Sequence, residues 1–255
     1  MITAENIKLI EALARLCGDT MKTADRSDCA TRAKEGHANF VTRYDRIIED
    51  ILYHGLLDIL PEAAFYGEES ADGGFPSEDL VFVVDPIDGT TNFIKDLKWS
   101  CVSIGLTEKR ERIYGLVYNP YTDEMFTAVK GQGAFLNGKE IHVSDAPLEE
   151  ALVIFGTAPY YEDLADHAFQ KAQEYMMKGI DVRRTGSAAL DLCLVACGRA
   201  ELYFESMLQP WDFAAGSLIA EEAGGTVKRW DGEALDVTMP GSCLAYGSGI
   251  SLDRL

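Results

Sequence analysis

The stretch Leu80-Val81-Phe82-Val83-Val84-Asp85-Pro86-Ile87-Asp88-Gly89-Thr90-Thr91-Asn92 decides how this chain is read. Leu80 to Val84 is an unbroken apolar run of strand length, which predicts a strand buried on both faces. Asp85 sits at its end, and burial penalises a carboxylate unless it is paired or holds a cation. Pro86 has no N–H for a ladder, so the strand is expected to stop there. Asp88 follows, and Gly89 lets the backbone approach a ligand closely. Thr90, Thr91 and Asn92 then offer hydroxyls, an amide and free N–H groups, as at a helix start. Asp-Pro and Asp-Gly are also common turn pairs, so local capping accounts for any one of these residues. Taken whole, the eight residues from Asp85 to Asn92 suit hard cations and a phosphoryl oxygen.

Working outward, Ala64-Phe65-Tyr66-Gly67 reads as a short strand ending at Glu68-Glu69-Ser70. The separation from Glu68 to Asp85 leaves room for a loop, so neighbouring strands could present the two acids side by side. Upstream, Thr3 to about Asp25 has apolar residues at helical spacing, with Thr3 as the cap. A second helix follows Val41-Thr42-Arg43-Tyr44-Asp45 and ends at Pro61. Asp45 lies in its first turn, where its plain role is charge against the helix dipole. Ser27 to Asn39 lacks periodicity and is expected to be a mobile loop. Downstream, residues 102–142 alternate as an antiparallel meander, with Asn137-Gly138 as a hairpin turn. That meander brings no chemistry of its own and reads as scaffold.

Residues 144–149 form the expected boundary between two halves, 1–145 and 146–255. Strand and helix alternate in the second half, as in an α/β unit. Gly186-Ser187-Ala188-Ala189 opens a helix, and small residues there serve a ligand or tight packing equally well. Ala200 to Phe204 reads as a strand ending at Glu205. Pro210-Trp211-Asp212 precedes another helix, with Asp212 expected as its N-cap. Nothing local joins Asp212 to Asp88; only a fold could.

The chain has 255 residues, 47% of them hydrophobic, enough for a large core. Lys plus Arg is 23 against 42 Asp plus Glu, a net charge of −19. That balance argues against sequence-independent nucleic-acid binding, which needs a basic surface. Solubility alone explains much of it. Six cysteines occur without a C-x-x-C pair, so no zinc pattern is present. No secretory signal or membrane-length apolar run is seen, and a reducing cytoplasm is the expected location.

V-T-x-x-D at Val41 to Asp45, G-E-E-S at Gly67 to Ser70, the Asp85–Asn92 string, G-S-A-A at Gly186 and W-D at Trp211 occur in one order. Together they resemble the signatures of the inositol monophosphatase family of magnesium-dependent, lithium-sensitive phosphatases. The resemblance implies a layered αβαβα sandwich with mixed and antiparallel sheets, and a homodimer. It implies two to three Mg²⁺ ions, held by Glu68, Asp85, the Ile87 carbonyl, Asp88 and Asp212. Thr90 paired with Asp45 would orient the attacking water, with Glu68 also catalytic. Gly89, Thr90 and Thr91 would cradle phosphate, while Asp88, Ser187, Ala188, Glu205 and Asp212 would contact the substrate. Asn39 stands where many members carry an acid and is not counted as a ligand; Lys34 matches only loosely. The implied substrate is a phosphate ester of inositol or a similar polyol. Fructose 1,6-bisphosphate, histidinol phosphate and a 3′-phosphorylated adenosine nucleotide share the same chemistry. A sugar-phosphate sensor without turnover is the alternative of a different class.

Overall fold

A computed structural model describes residues 2–26, 32–33, 40–71, 74–158 and 161–251. Helix α1 (Ala4–Thr23) starts on Thr3, whose hydroxyl accepts from the Asn6 N–H in a capping box. Of the expected 27–39 loop, only 32–33 are described. They form β1 (Arg32–Ala33), which pairs antiparallel with β2 (Phe40–Val41). The rest of that loop, with Lys34 and Asn39, lies outside the described residues. Helix α2 (Arg43–Ile59) is capped by Thr42.

A seven-stranded sheet runs β3 (Ala64–Gly67), β4 (Leu80–Asp88), β5 (Cys101–Glu108), β6 (Glu111–Asn119), β7 (Glu124–Val129), β8 (Ala134–Leu136) and β9 (Lys139–Ile141). Strands β3 and β4 are parallel and the other pairs antiparallel. Between β4 and β5 lies the short helix α3 (Thr90–Ile94). Asn137 and Gly138 both take positive φ, as the I′ turn between β8 and β9 requires.

The second sheet is built from β10 (Leu152–Phe155), β11 (Asp181–Arg183), β12 (Leu202–Leu208), β13 (Thr226–Lys228) and β14 (Gly241–Tyr246). Its order is β11-β10-β12-β14-β13, with β10 parallel to both neighbours. Helices α4 (Glu162–Met176), α5 (Ala188–Ala196) and α6 (Pro210–Glu222) complete the chain.

The layers follow from the apolar faces. Helices α1 and α2 cover one face of the first sheet, where Ile10, Ile48 and Leu52 meet Phe82 and Val84. Val81 and Val83 point the other way, against Leu192, Phe213 and Ala214 of α5 and α6. This two-sided burial is why β4 reads as a continuous apolar run. Helix α6 is buried nearly all round because it lies between the sheets. It sits on a cross-strand glycine pair: a Cβ at Gly115 would lie 2.6 Å from the Ala215 carbonyl oxygen, and one at Gly105 2.9 Å from the Ala214 Cβ. Helix α4 covers the outer face of the second sheet, with Tyr175 packed among Phe155 and Phe204. The result is the five-layer αβαβα sandwich.

Two strand ends differ from the sequence reading. β4 continues past Pro86 to Asp88, with a register irregularity between Asp85 and Asp88. The irregularity lets a proline sit in the ladder without breaking it. β12 likewise continues past Glu205 to Leu208, with an irregularity between those residues.

Candidate active site

The site forms where β4 ends against the starts of α2, α3, α5 and α6. Asp85 and Asp88 are buried, at 2% and 7% exposure. The Ile87 N–H donates to Asp85 Oδ1 at 2.9 Å, which folds the Asp85–Asp88 corner on itself. Glu68 follows β3, and its N–H donates to the Val84 carbonyl at 3.1 Å. Glu68 and Asp85 are therefore placed side by side by parallel pairing.

Gly89 caps α3 with φ 88°, a left-handed conformation that glycine adopts without strain. A Cβ there would stand 3.1 Å from the Trp99 carbonyl and 3.2 Å from the Gly186 carbonyl. Thr90 follows, and its hydroxyl lies 3.2 Å from Asp45 Oδ1 and 3.1 Å from the Ile87 carbonyl. Asp45 Oδ2 accepts from the Thr42 N–H at 2.8 Å and the Thr42 hydroxyl at 2.5 Å. Asp45 thus caps its own helix and faces Thr90 with its other oxygen. Burial pushes its carboxyl up to about 6, against the lowering effect of the Thr42 hydrogen bonds. Thr91 is exposed at the rim.

Asp88 Oδ2 accepts from the Ser187 hydroxyl at 2.6 Å and the Ala189 N–H at 2.7 Å. The start of α5, with Ala188 between those donors, is thereby fastened to the end of β4. Burial raises the Asp88 carboxyl to about 6, opposed by these hydrogen bonds and assisted by Glu68 and Glu205. Asp85 is driven well above the usual carboxylate range by burial first, then by Glu68, Asp88, Asp212 and Asp45.

Asp212 reaches the same field. It is the third residue of α6, not its N-cap: Gln209 is the cap, and its N–H donates to Asp212 Oδ2 at 2.7 Å. Pro210 at the first helical position, where no N–H is needed, moves the helix start upstream of the expected cap. Burial raises the Asp212 carboxyl well above its ordinary value, followed by repulsion from Asp88 and Glu68.

Glu205 is buried on β12, its Oε1 accepting from the Ala158 N–H at 2.9 Å and its Oε2 from the Tyr203 hydroxyl at 2.7 Å. A Cβ at Gly156 would fall 1.9 Å from that carboxylate, so the glycine leaves its space. Burial raises the Glu205 carboxyl, partly offset by those two hydrogen bonds and by Arg184.

Sequence reasoning missed Tyr203, Cys101, whose thiol lies 3.8 Å from Asp88 Oδ2, and the clasping role of Asn92. Tyr203 was findable: it precedes Glu205 by two positions, on the same strand face.

Among the described residues, no group of three His, Cys, Asp or Glu side chains stands as a ready-made metal cage. The donor set nevertheless fits a hard divalent cation. It consists of carboxylates and the Ile87 carbonyl, and the leading charge effects on Asp85 are other acids. A cation relieves that repulsion, and all-oxygen donors suit Mg²⁺ rather than zinc.

Known proteins bear on this geometry. The model of the inositol monophosphatase family matches residues 3–252. Inositol monophosphatase 2 of Solanum lycopersicum is 41% identical over 211 residues, covering 80% of each chain. The Nus factor SuhB of Escherichia coli is 38% identical over 221 residues, covering 86% of this chain and 83% of that protein. The crystal structure of extragenic suppressor protein suhB from Bartonella henselae superposes with a TM-score of 0.88 at 32% identity. It covers 95% of this chain and 94% of that one.

Proposed function

The chain belongs to the inositol monophosphatase family and is a phosphoric monoester hydrolase; from that premise we propose that it hydrolyses a phosphate monoester of inositol or a similar polyol with Mg²⁺. The observation that carries this reading is the mutual repulsion of Asp85, Asp88, Asp212 and Glu68 beside the Thr90–Asp45 pair.

In this reading, Glu68, Asp85, the Ile87 carbonyl, Asp88 and Asp212 hold two to three Mg²⁺ ions. When bound, the ions supply Lewis-acid charge for the phosphoryl and leaving oxygens and lower the pKa of water. The protein's own residues orient and exclude. Gly89 and the N–H groups at the start of α3 receive phosphate oxygens, with Thr90 and Thr91 adding hydroxyls. Thr90 passes hydrogen-bond direction from Asp45 to the attacking water. Asp45 faces the Thr90 hydroxyl with Oδ1 and accepts from it, which sets the direction in which the Thr90 oxygen meets the water. Glu68 shares that work. Asp88, Ser187, Ala188, Glu205 and Asp212 line the side where the alcohol leaves. Glu205 is held rigid by Ala158 and Tyr203 and keeps acceptor capacity for substrate hydroxyls.

The same reading divides the labour between residues 1–145, with most metal ligands, and 146–255, with Asp212 and the substrate contacts. It also includes a homodimer inhibited by lithium, two attributes that rest on the family alone, and a cytoplasmic location, which rests on the cysteine usage. Among the described residues, no helix is long and apolar enough to cross a membrane.

The test is phosphate release from inositol 1-phosphate with Mg²⁺, set beside fructose 1,6-bisphosphate, histidinol phosphate and a 3′-phosphorylated adenosine nucleotide. Inositol 1-phosphate is expected to be turned over, and Asp88→Asn to abolish that turnover. A wild-type chain inactive on every ester would remove the reading. One observation favours a second reading, a regulatory partner without turnover: the Escherichia coli relative is named a Nus factor. Tight Mg²⁺ and ester binding with no turnover would select it.

A further inference from the structure

Asn92 closes the motif at the end of β4, yet the chemistry proposed above gives it no task. It is buried, at 6% exposure. Its side-chain amide donates to the Trp99 carbonyl at 2.7 Å and to the Thr185 carbonyl at 2.9 Å, with the Gly186 carbonyl at 3.4 Å. An amide NH₂ has two N–H donors, so this group spends its whole donor capacity on backbone. The two segments it joins are far apart in sequence. Trp99 leads into β5 of the first sheet, while Thr185-Gly186 leads into α5, in the layer between the sheets.

The 185–186 turn sets the position of the start of α5. Ser187 and Ala189 give Asp88 its two hydrogen bonds within the 187–189 segment. The turn is pinned from its other side as well, because the Thr185 hydroxyl bonds to Asp191, a buried acid of α5. It also lies close to the 89–92 turn, where a Cβ on Gly89 would stand 3.2 Å from the Gly186 carbonyl. Loss of the Asn92 amide would leave carbonyls of Trp99 and Thr185 short of a donor and free the 185–189 segment to shift. A shift of about one ångström there is enough to break 2.6–2.7 Å contacts to Asp88.

We infer that Asn92 is a positioning residue: its amide clamps the 185–189 turn onto the 89–92 turn, so that the Ser187 hydroxyl and the Ala189 N–H hold the Asp88 carboxylate in place. The Mg²⁺ arm of the test rests on the proposed metal role of Asp88; the exchange arm does not.

The experiment is a double-mutant cycle of Asn92→Ala and Ser187→Ala in the full chain, with two readouts. In Mg²⁺-free protein, amide hydrogen exchange at Ala189 is expected to quicken about tenfold in Asn92→Ala, the scale of one lost hydrogen bond. By calorimetry, Mg²⁺ affinity is expected to fall about tenfold in each single variant, and little further in the double variant. Additive losses, or unchanged exchange at Ala189 with only a lower Tm, overturn the positioning role. Where Asn92→Ala does not fold, Asn92→Ser keeps one donor on a shorter arm and is expected to show the same pattern at smaller size; wild-type exchange and affinity in that variant also overturn the role. A wild-type chain that binds no Mg²⁺ sinks the proposed metal site, while the exchange readout still decides the case of Asn92.

Discussion

Asp45 and Asp88 are each pushed up to about 6, and burial is the first cause for both. A carboxyl whose folded pKa exceeds its unfolded value of about 3.9 keeps its proton longer when folded. Its contribution to stability therefore falls as pH rises from about 4 to about 6. In Mg²⁺-free protein, Asp88→Asn is accordingly expected to raise stability at pH 7, by up to about 3 kcal/mol, and to leave it nearly unchanged near pH 4. Thermal melts at the two pH values check this; a variant less stable at pH 7 would contradict it. Thr90 sits at the opposite edge of the same site. Thr90→Val removes the hydroxyl that faces Asp45 at little change in volume. Its expected outcome is a fall in kcat of about 100-fold with a smaller rise in KM, since the same hydroxyl also meets the phosphate, read by steady-state kinetics. The residue scale is also where the sequence spoke most clearly. Asp85, Asp88, Gly89 and Thr90 lie within six positions of one another, so a local string carried their joint meaning. Asp45 and Asp212 each had a sufficient local role as helix-start acids, and both do fill such a role. Local chemistry could not distinguish a capping acid from a capping acid that also faces the site.

At the scale of elements, the sharpest constraint is the seating of α6 on β5 and β6. Gly105 and Gly115 are register partners, and α6 presses Ala214 and Ala215 into the gap they leave. Gly115→Ala is expected to cost about 1–3 kcal/mol by overpacking, since the obstacle is backbone that cannot rotate aside. Chemical denaturation measures the loss, and unchanged stability would mean the layers can part. Because α6 carries Asp212 in its first turn, the same variant should also weaken Mg²⁺ binding. In the sequence these glycines looked like ordinary strand residues in a meander without chemistry. Their spacing to α6 exists only after the sheet and the inner helix layer are stacked. The strand ends eluded the sequence for a related reason. A proline or an acid is a fair stop signal in isolation, but neighbouring strands keep pairing past an irregularity when the ladder on either side is buried.

At the scale of the whole molecule, buried acids meet a net charge of −19. Bound cations relieve both local and global repulsion. Mg²⁺ at about 100 times its Kd is expected to stabilise the fold by about 2.7 kcal/mol at pH 7, and by less at pH 5, where the acids are partly protonated. Melting with Mg²⁺ and with a chelator at both pH values tests this; equal stabilisation at pH 5 and pH 7 would separate the effect from these carboxylates.

The sequence by itself determined the strand that carries the Asp85–Asn92 corner, the two helices before it with the cap of the first, and the hairpin turn at Asn137-Gly138. It could do so because periodicity, capping and turn chemistry act over a few residues and leave local marks. Only the tertiary structure decided that Asp212 joins Asp85 and Asp88, that Ser187 and Ala189 hold Asp88, and that Asn92 ties the two turns together. The hydrogen bonds among these join segments about a hundred residues apart, and Asp212 acts on Asp85 through its charge; both follow from stacking helix layers on sheets. No short-range pattern encodes the distance between them.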